Sequence, residues 1–193
     1  ILMDAEATSP TRARSPEPTW GKLREPVLRL TAMARWLNVR STVPIWRIGD
    51  LSNPATALGQ SPLRSPSVFN FYRPGYVPPS SALAPLGLVA PELQTTTETS
   101  VVGIVNTLSR LLSIPPAGLQ LDFSRLIDHA GDPAALVTLI DLELVAQSLT
   151  PASRRTIETA LAAMPARTEA ERLSRVRAAL LLVANAPEAL VQK

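Results

Sequence analysis

The sequence predicts an all-α protein, an irregular helical array or bundle that carries a long, ordered loop rich in proline and aromatic residues. Three observations predict it. Apolar residues recur at three- and four-residue spacing over the C-terminal half, and no stretch alternates as a half-buried strand would, so essentially no sheet is expected. The chain is 46% apolar but only 4% aromatic, so its core must be built mainly from Leu, Ala and Val, which favours packed helices. The prolines number 19 against 8 glycines, and many cluster in one window, QSPLRSPSVFNFYRPGYVPP at Gln60–Pro79. Proline fixes the backbone and removes a donor, so such a window is ordered but irregular.

The elements follow in order. ILMDAEA reads as the last turns of a helix whose start is absent, and TSPTRARSPEP as an extended loop. The next helix starts near Pro26, a first-turn proline, with Glu25 well placed for the helix dipole. Val27, Leu30, Ala34 and Leu37 form its stripe, with Leu28 and Met33 beside them and Trp36 extending the face. Asn38 to Thr42 ends it. A short helix is expected around Ile45 to Leu51, with Trp46, Ile48 and Leu51 turned inward. Gly59 to Ala90 is the long irregular region, and a loop of that length is usually functional or wrapped over a partner.

After Pro91 the helical pattern returns. Leu93, Val101, Val102, Val105, Leu108, Leu111 and Leu112 predict an amphipathic helix of about six turns, weakened by the poor propensity of Thr95–Ser100. Pro115 and Pro116 break the chain. Leu119 to Phe123 extends briefly, and Phe123 to His129 holds a turn or two of helix. Asp132-Pro133 then caps and starts a helix with Leu136, Leu139, Ile140, Leu142 and Val145 on its stripe. Thr150-Pro151 repeats the device, with Ile157, Leu161 and Met164 buried. Thr168 opens the last helix with Glu171 as capping-box partner. Leu173, Val176, Leu180 and Val183 are its stripe, widened by Leu181 and Leu182. Short links make these three helices neighbours. The divisions are 1–20, a helix tail plus loop; 21–58, helical; 59–90, irregular; and 91–193, a C-terminal bundle, all one domain or part of a larger one.

Composition excludes several chemistries. With no cysteine there is no disulfide, no thiolate nucleophile and no Cys-ligated metal. The longest apolar candidate, Ala178–Ala186, falls far short of a bilayer span. The net charge of +3 is small and dispersed. Arg12, Arg14, Lys22, Arg24, Arg29, Arg35 and Arg40, interleaved with Trp20 and Trp36, make the first quarter basic. Glu17 and Glu25 dilute that patch and no nucleic-acid motif accompanies it, so a solvated face with internal ion pairs is expected and no nucleic-acid partner. Arg154, Arg155, Arg172, Arg175 and Arg177 read as exposed helix faces near Glu partners.

Catalytic motifs are equally sparse. The sequence holds no Gly-rich phosphate loop, Gly-x-Ser-x-Gly elbow or His-Glu-x-x-His helix. His129, the single histidine, reads as a helix C-terminal residue rather than a ligand or base. The carboxylates Glu92, Glu98, Asp122, Asp128, Asp132, Asp141 and Glu143 read as solvated, with Glu92 explained by a helix first turn. Asp141 and Glu143, two apart, do not share a helix face. Ser61, Ser65 and Ser67 lack a nearby His. No cofactor and no metal site is expected.

The site candidates are therefore Phe69, Phe71, Tyr72 and Tyr76. Outside their window the chain has one other Phe, Phe123, and no other Tyr. The block is either a plug that closes the helices or a partner-facing surface, and the polar tips of Tyr72 and Tyr76 suit a boundary.

RSPSVFNFYRPGYVPP, with APEL at Ala90–Leu93, resembles the C-terminal part of the bacterial "domain of unknown function 1800" family. GKLREPVLRL at Gly21–Leu30 is similar to that family's Lys-Leu-Arg-Glu-Pro helix start. RVRAALLLVANAPEALVQK at Arg175–Lys193 is similar to its closing helix and terminal Val-Gln-Lys/Arg. The resemblance implies a member of a family whose proteins are larger than this chain and often carry an export signal, placing the intact protein in the periplasm or at the cell surface. It implies no assigned activity. The expected role is structural, a helical segment docked on the missing N-terminal part of its own protein or on another exported protein. The alternative is one wall of an enzyme active site completed by the missing part, since family members carry His-rich stretches upstream.

Overall fold

The fold was taken from a computed structural model, which describes residues 20–192 and, before them, Met3, Asp4, Thr8, Ser9 and Thr11. The expected N-terminal helix tail and most of the following loop lie outside the described residues, as do Arg12, Arg14 and Glu17.

Side chains that cap backbone N–H groups decide where the helices begin. Asp132 Oδ1 accepts from Ala134 N at 2.9 Å and Ala135 N at 3.2 Å, and Pro133 needs no partner for its own nitrogen. Thr150 Oγ1 accepts from Ser153 N at 3.2 Å, ahead of Pro151. Thr168 and Glu171 form the reciprocal capping box that their spacing predicts. Among the described residues these devices and their counterparts give six α-helices: α1, Pro26–Trp36; α2, Glu98–Ser113; α3, Ser124–Ile127; α4, Pro133–Leu144; α5, Pro151–Ala162; and α6, Glu169–Ala184.

The structure is mostly helical but not purely so. Two antiparallel ladders of two-residue strands staple it. β1 (Lys22–Leu23) pairs with β4 (Val191–Gln192), and β2 (Arg40–Ser41) pairs with β3 (Leu119–Gln120). Strands this short carry no alternation, which is why periodicity predicted none. The expected helix over Ile45–Leu51 is absent. Its β-branched residues favour extended backbone, Gly49 sits at φ +83°, and Asp50 folds back to accept from Ser52 N at 2.9 Å. Consequently Trp46 and Ile48 are exposed and only Leu51 is half-buried.

α2 is also shorter than predicted. Leu93 lies in a separate 3-10 turn, Pro91–Thr95. The polar run before Ser100 is a cap, not a weak half-helix. Thr97 Oγ1 accepts from Ser100 N at 3.2 Å, and Ser100 Oγ accepts from Thr97 N at 2.8 Å while donating to Thr95 O at 2.8 Å. The buried stripe runs Ser100, Gly103, Ile104, Leu108 and Leu112, leaving Val101 and Val102 in solvent.

α6 lies at the centre, packed on α2, α3, α4 and α5, while α4 also meets α1 and α5. Val176, Ala179, Leu180 and Val183 of α6 meet Leu136, Val137 and Ile140 of α4 and Leu161 of α5 in a core of Leu, Ala, Val and Ile with Met33, as composition requires. On α1 the buried positions are Pro26, Leu30 and Met33, with Leu37 buried at its end, while Val27 and Ala34 stay half-buried and Leu28 exposed. Leu142 and Leu182, both expected inside, are exposed.

Two charged residues expected on the surface are buried. Asp141 is 1% exposed. Its Oδ1 accepts from Leu149 N at 3.1 Å, and its Oδ2 pairs with Arg154, which also donates to Thr138 Oγ1 at 2.9 Å. The α4–α5 link is wound around this carboxylate, and Ala146 and Gln147 take positive φ to reach it. Arg175, on the inner face of α6, donates to Ala130 O at 2.9 Å and to Met164 O, which follow α3 and α5. These bonds satisfy both carbonyls and offset part of the guanidinium's desolvation, while its Nε stays buried without a partner.

Gly103 shows how tightly the segment before the long loop is seated. A Cβ there would stand 2.3 Å from Pro54 O and 2.6 Å from Ala57 O, both backbone atoms. Gly103→Ala should therefore destabilise the fold by roughly 1–3 kcal/mol, despite alanine's gain of about 1 kcal/mol in helix propensity. Urea denaturation checks this, and an unchanged or raised midpoint would show that the 54–57 turn yields freely.

Candidate functional site

The site begins with a helix start that cannot cap itself. Glu25 precedes α1 but makes no side-chain cap. Instead Gln60, buried at the head of the long loop, accepts from Val27 N with its Oε1 at 3.1 Å. Its Nε2 donates to Glu25 Oε2. The other carboxylate oxygen, Glu25 Oε1, accepts from the Tyr72 phenol at 3.1 Å. Three residues far apart in sequence thus form one chain of bonds that pins the loop to α1. Nearby, Arg24 N donates to Leu190 O at 2.7 Å and continues the β1–β4 ladder, so the C-terminal strand closes on the same corner.

The phenol reports that setting. Burial pushes the Tyr72 pKa up, the hydrogen bond to Glu25 and the charges of Glu25 and Glu92 add to it, and the result is about 12.

Beyond Tyr72 the loop is braced by its own backbone. Arg73 N donates to Gln94 Oε1 at 2.8 Å, and Ala90 N donates to Tyr76 O at 2.9 Å. Ahead of Tyr72 two tight turns form the tip. In Ser61–Arg64, Arg64 N donates to Ser61 O at 3.2 Å, with Pro62 first and Leu63 second at φ +61°. That second position ordinarily takes Gly or Asn. In Ser67–Asn70, Ser67 Oγ accepts from Phe69 N at 3.1 Å, and Asn70 takes φ +64°, which asparagine tolerates.

Of the four aromatics singled out in the sequence, Phe69 is 57% exposed at the tip, and Phe71, Tyr72 and Tyr76 are half-buried behind it. None belongs to the core cluster. Sequence reasoning missed Leu63, in the first of these turns, and Val68, next to Phe69 in the second, which stand in solvent at 104% and 96% exposure. It also missed Glu25 and Gln60 as the anchor, for which no local signal exists.

The remaining candidates do not converge. His129 is exposed in the turn after α3. Asp122 accepts from Ser124, Asp132 caps α4, and Asp141 is the buried pivot described above. Glu143 accepts from Trp36 Nε1 at 2.8 Å and from Arg125 at 2.7 Å, bonds that hold its carboxyl below the usual range. Trp36 is thereby tied down rather than free to stack on a base. Burial and the like charge of Arg24 lower the Arg29 pKa to about 10. Among the described residues no three His, Asp or Glu side chains gather as a metal-binding set, and no helix is long and apolar enough to cross a membrane.

Fold and site together define a mostly helical scaffold that holds a rigid loop with apolar side chains at its tip. The chain belongs to the family described as "Protein of unknown function (DUF1800)", whose model matches residues 1–191. No curated protein and no solved structure matches it. The three sequence blocks that carry the resemblance meet at one corner. The helix start after Gly21 pairs with the C-terminal strand and bonds the aromatic–proline loop through Glu25.

The anchor makes a pH-dependent prediction. An ordinary phenol ionises near pH 10, whereas Tyr72 holds its proton to about 12. The Glu25–Tyr72 bond therefore contributes fully below pH 10 and is lost as the pH rises through about 12. Tyrosinate absorbance should show a late transition near that pH, which Tyr72→Phe removes at a cost of about 0.5–1.5 kcal/mol in stability. A variant that retains the late transition would detach it from Tyr72.

Proposed function

We propose that this chain is the C-terminal helical segment of a larger bacterial exported protein, working in the periplasm or at the cell surface in a structural, partner-holding role. The loop tip of Leu63, Val68 and Phe69 is the contact surface, and its partner is polypeptide: the remainder of the same protein or another exported protein.

One observation carries the reading. Three large apolar side chains stand exposed on a loop whose backbone is fixed by prolines and by the Gln60–Glu25–Tyr72 bonds. Exposed apolar residues cost solubility unless something covers them, and a rigid presentation lowers the ordering cost of binding. Leu63 strengthens the reading, since a bulky residue at positive φ is kept against a strain of roughly 1–3 kcal/mol.

The variant Leu63→Gly with Phe69→Ser removes the surface while suiting the turn. It should leave thermal unfolding of this chain within a few degrees of the parent, because neither side chain is in the core. Amide exchange over residues 61–72 should be slower in the intact protein or its complex than in this chain, and the variant should lose that protection. Equal exchange in all settings would end the contact reading. Cell fractionation tests location separately: the intact protein recovered only from cytosol, with no cleaved leader, would refute export.

A further inference from the structure

A second surface, apart from the loop tip, has the build of a small-molecule site. A cleft of about 400 Å³ opens between α1, the irregular segment 46–57 and the C-terminal half of α2. That volume lies within the range of ligand pockets, which are mostly apolar with a few placed polar groups. Leu30, Ala34, Leu51 and Leu111 form its walls. Trp46, Ile48 and Ile114 stand at its rim, with Trp46 53% and Ile114 76% exposed.

The two charged residues that line the cleft are not equivalent. Asp50 is already answered: Ser52 donates to it through hydroxyl and backbone N–H, and Arg64 lies 3.5 Å away. Those bonds, led by the Ser52 hydroxyl, hold its carboxyl below the usual range. Arg110 has no such answer. Its Nη2 donates to Thr56 O at 3.1 Å, and among the described residues no carboxylate pairs with it. The Thr56 bond holds the guanidinium at the cleft and leaves its remaining donors uncommitted. The cleft therefore combines an apolar cavity, an indole at its rim and one unneutralised cation.

We propose that this cleft binds an amphiphile of small-molecule size with a single anionic head, such as a medium-chain carboxylate. Arg110 holds the head, the walls formed by Leu30, Leu51 and Leu111 take the tail, and Trp46 covers it. The opposite head charge would meet Arg110 unfavourably, so the site discriminates by sign as well as by apolar area.

Decanoate is the probe, followed by tryptophan fluorescence, with Trp46→Phe as the control that assigns the signal. Decanoate should bind saturably and one to one with a blue shift of the Trp46 emission. Decyltrimethylammonium, with a tail one carbon longer and the opposite charge, should bind at least about tenfold more weakly. Arg110→Gln should lower decanoate affinity by about tenfold and leave decanol unchanged. Ala34→Trp, which fills the cleft, should abolish binding. Should that variant fail to fold, methyl shifts on titrating decanoate into the parent protein must centre on Leu30, Leu51 and Leu111. Equal binding of both head groups, or an indifferent Arg110→Gln, would overturn the anionic assignment. Non-saturable binding, or methyl shifts elsewhere, would overturn the site.

Discussion

The helical bundle is organised around one helix. α6 is in contact with α2, α3, α4 and α5, and Val176, Ala179, Leu180 and Val183 are fully buried along it. A hub that meets four helices needs small residues where they come nearest and a solution for any polar group on its inner face. Ala179 and Arg175 supply these. Arg175 shares the inner stripe with Ala179 and Val183, spaced four apart, so it cannot escape to solvent. It reaches instead to the carbonyls of Ala130 and Met164. Removing its head group would leave those carbonyls and a cavity together, a pairing of losses that few single positions carry.

The corner at the start of α1 converts that bundle into a platform. The C-terminal strand returns to pair with Lys22 and Leu23, and Glu25 joins the same corner to Gln60 and Tyr72. The long loop would otherwise be free to fluctuate, since few of its side chains enter the core. Its order comes from a handful of polar bonds plus prolines rather than from apolar burial. Such a design keeps the tip rigid without drawing its apolar residues inward, and that separation of duties is what leaves Leu63, Val68 and Phe69 available.

Much of the fold was legible because its signals are local. Asp132-Pro133, Thr150-Pro151 and the Thr168–Glu171 box each place a cap beside the helix it starts, and the structure uses all three. What failed was non-local or below the period. Two-residue strands have no alternation to read. The 45–51 segment has apolar residues at helical spacing, but β-branching, Gly49 and the Asp50 turn override it. Residue type alone puts Asp141 and Arg175 in solvent. Their spacing said otherwise: Val137, Asp141 and Val145 lie four apart, as do Arg175, Ala179 and Val183. The candidate surface was half legible. Its aromatics announce themselves in composition, whereas Gln60 and Glu25 are ordinary polar residues that acquire meaning only through contacts across 35 positions.

The distribution of aromatic residues joins the two surfaces into one argument. None of the three Phe and two Tyr, nor Trp20, Trp36 or Trp46, is fully buried. The fully buried core is aliphatic apart from Met33, with Trp36 and Phe123 packed against its edge. Large rings are the most effective way to bury area, yet this helical domain leaves all of them at or near its surface. Some have structural posts: Trp36 donates to Glu143, Phe123 lies under Arg177, and Tyr72 holds the loop. Trp46 and Phe69 have none. They stand at the two places where aliphatic neighbours are also exposed, Ile48 and Ile114 around the cleft and Leu63 and Val68 at the tip. Exposed aromatics with exposed aliphatic flanks are the composition of contact surfaces. The core of this chain is mainly aliphatic, and the rings without a structural post are the ones left in solvent.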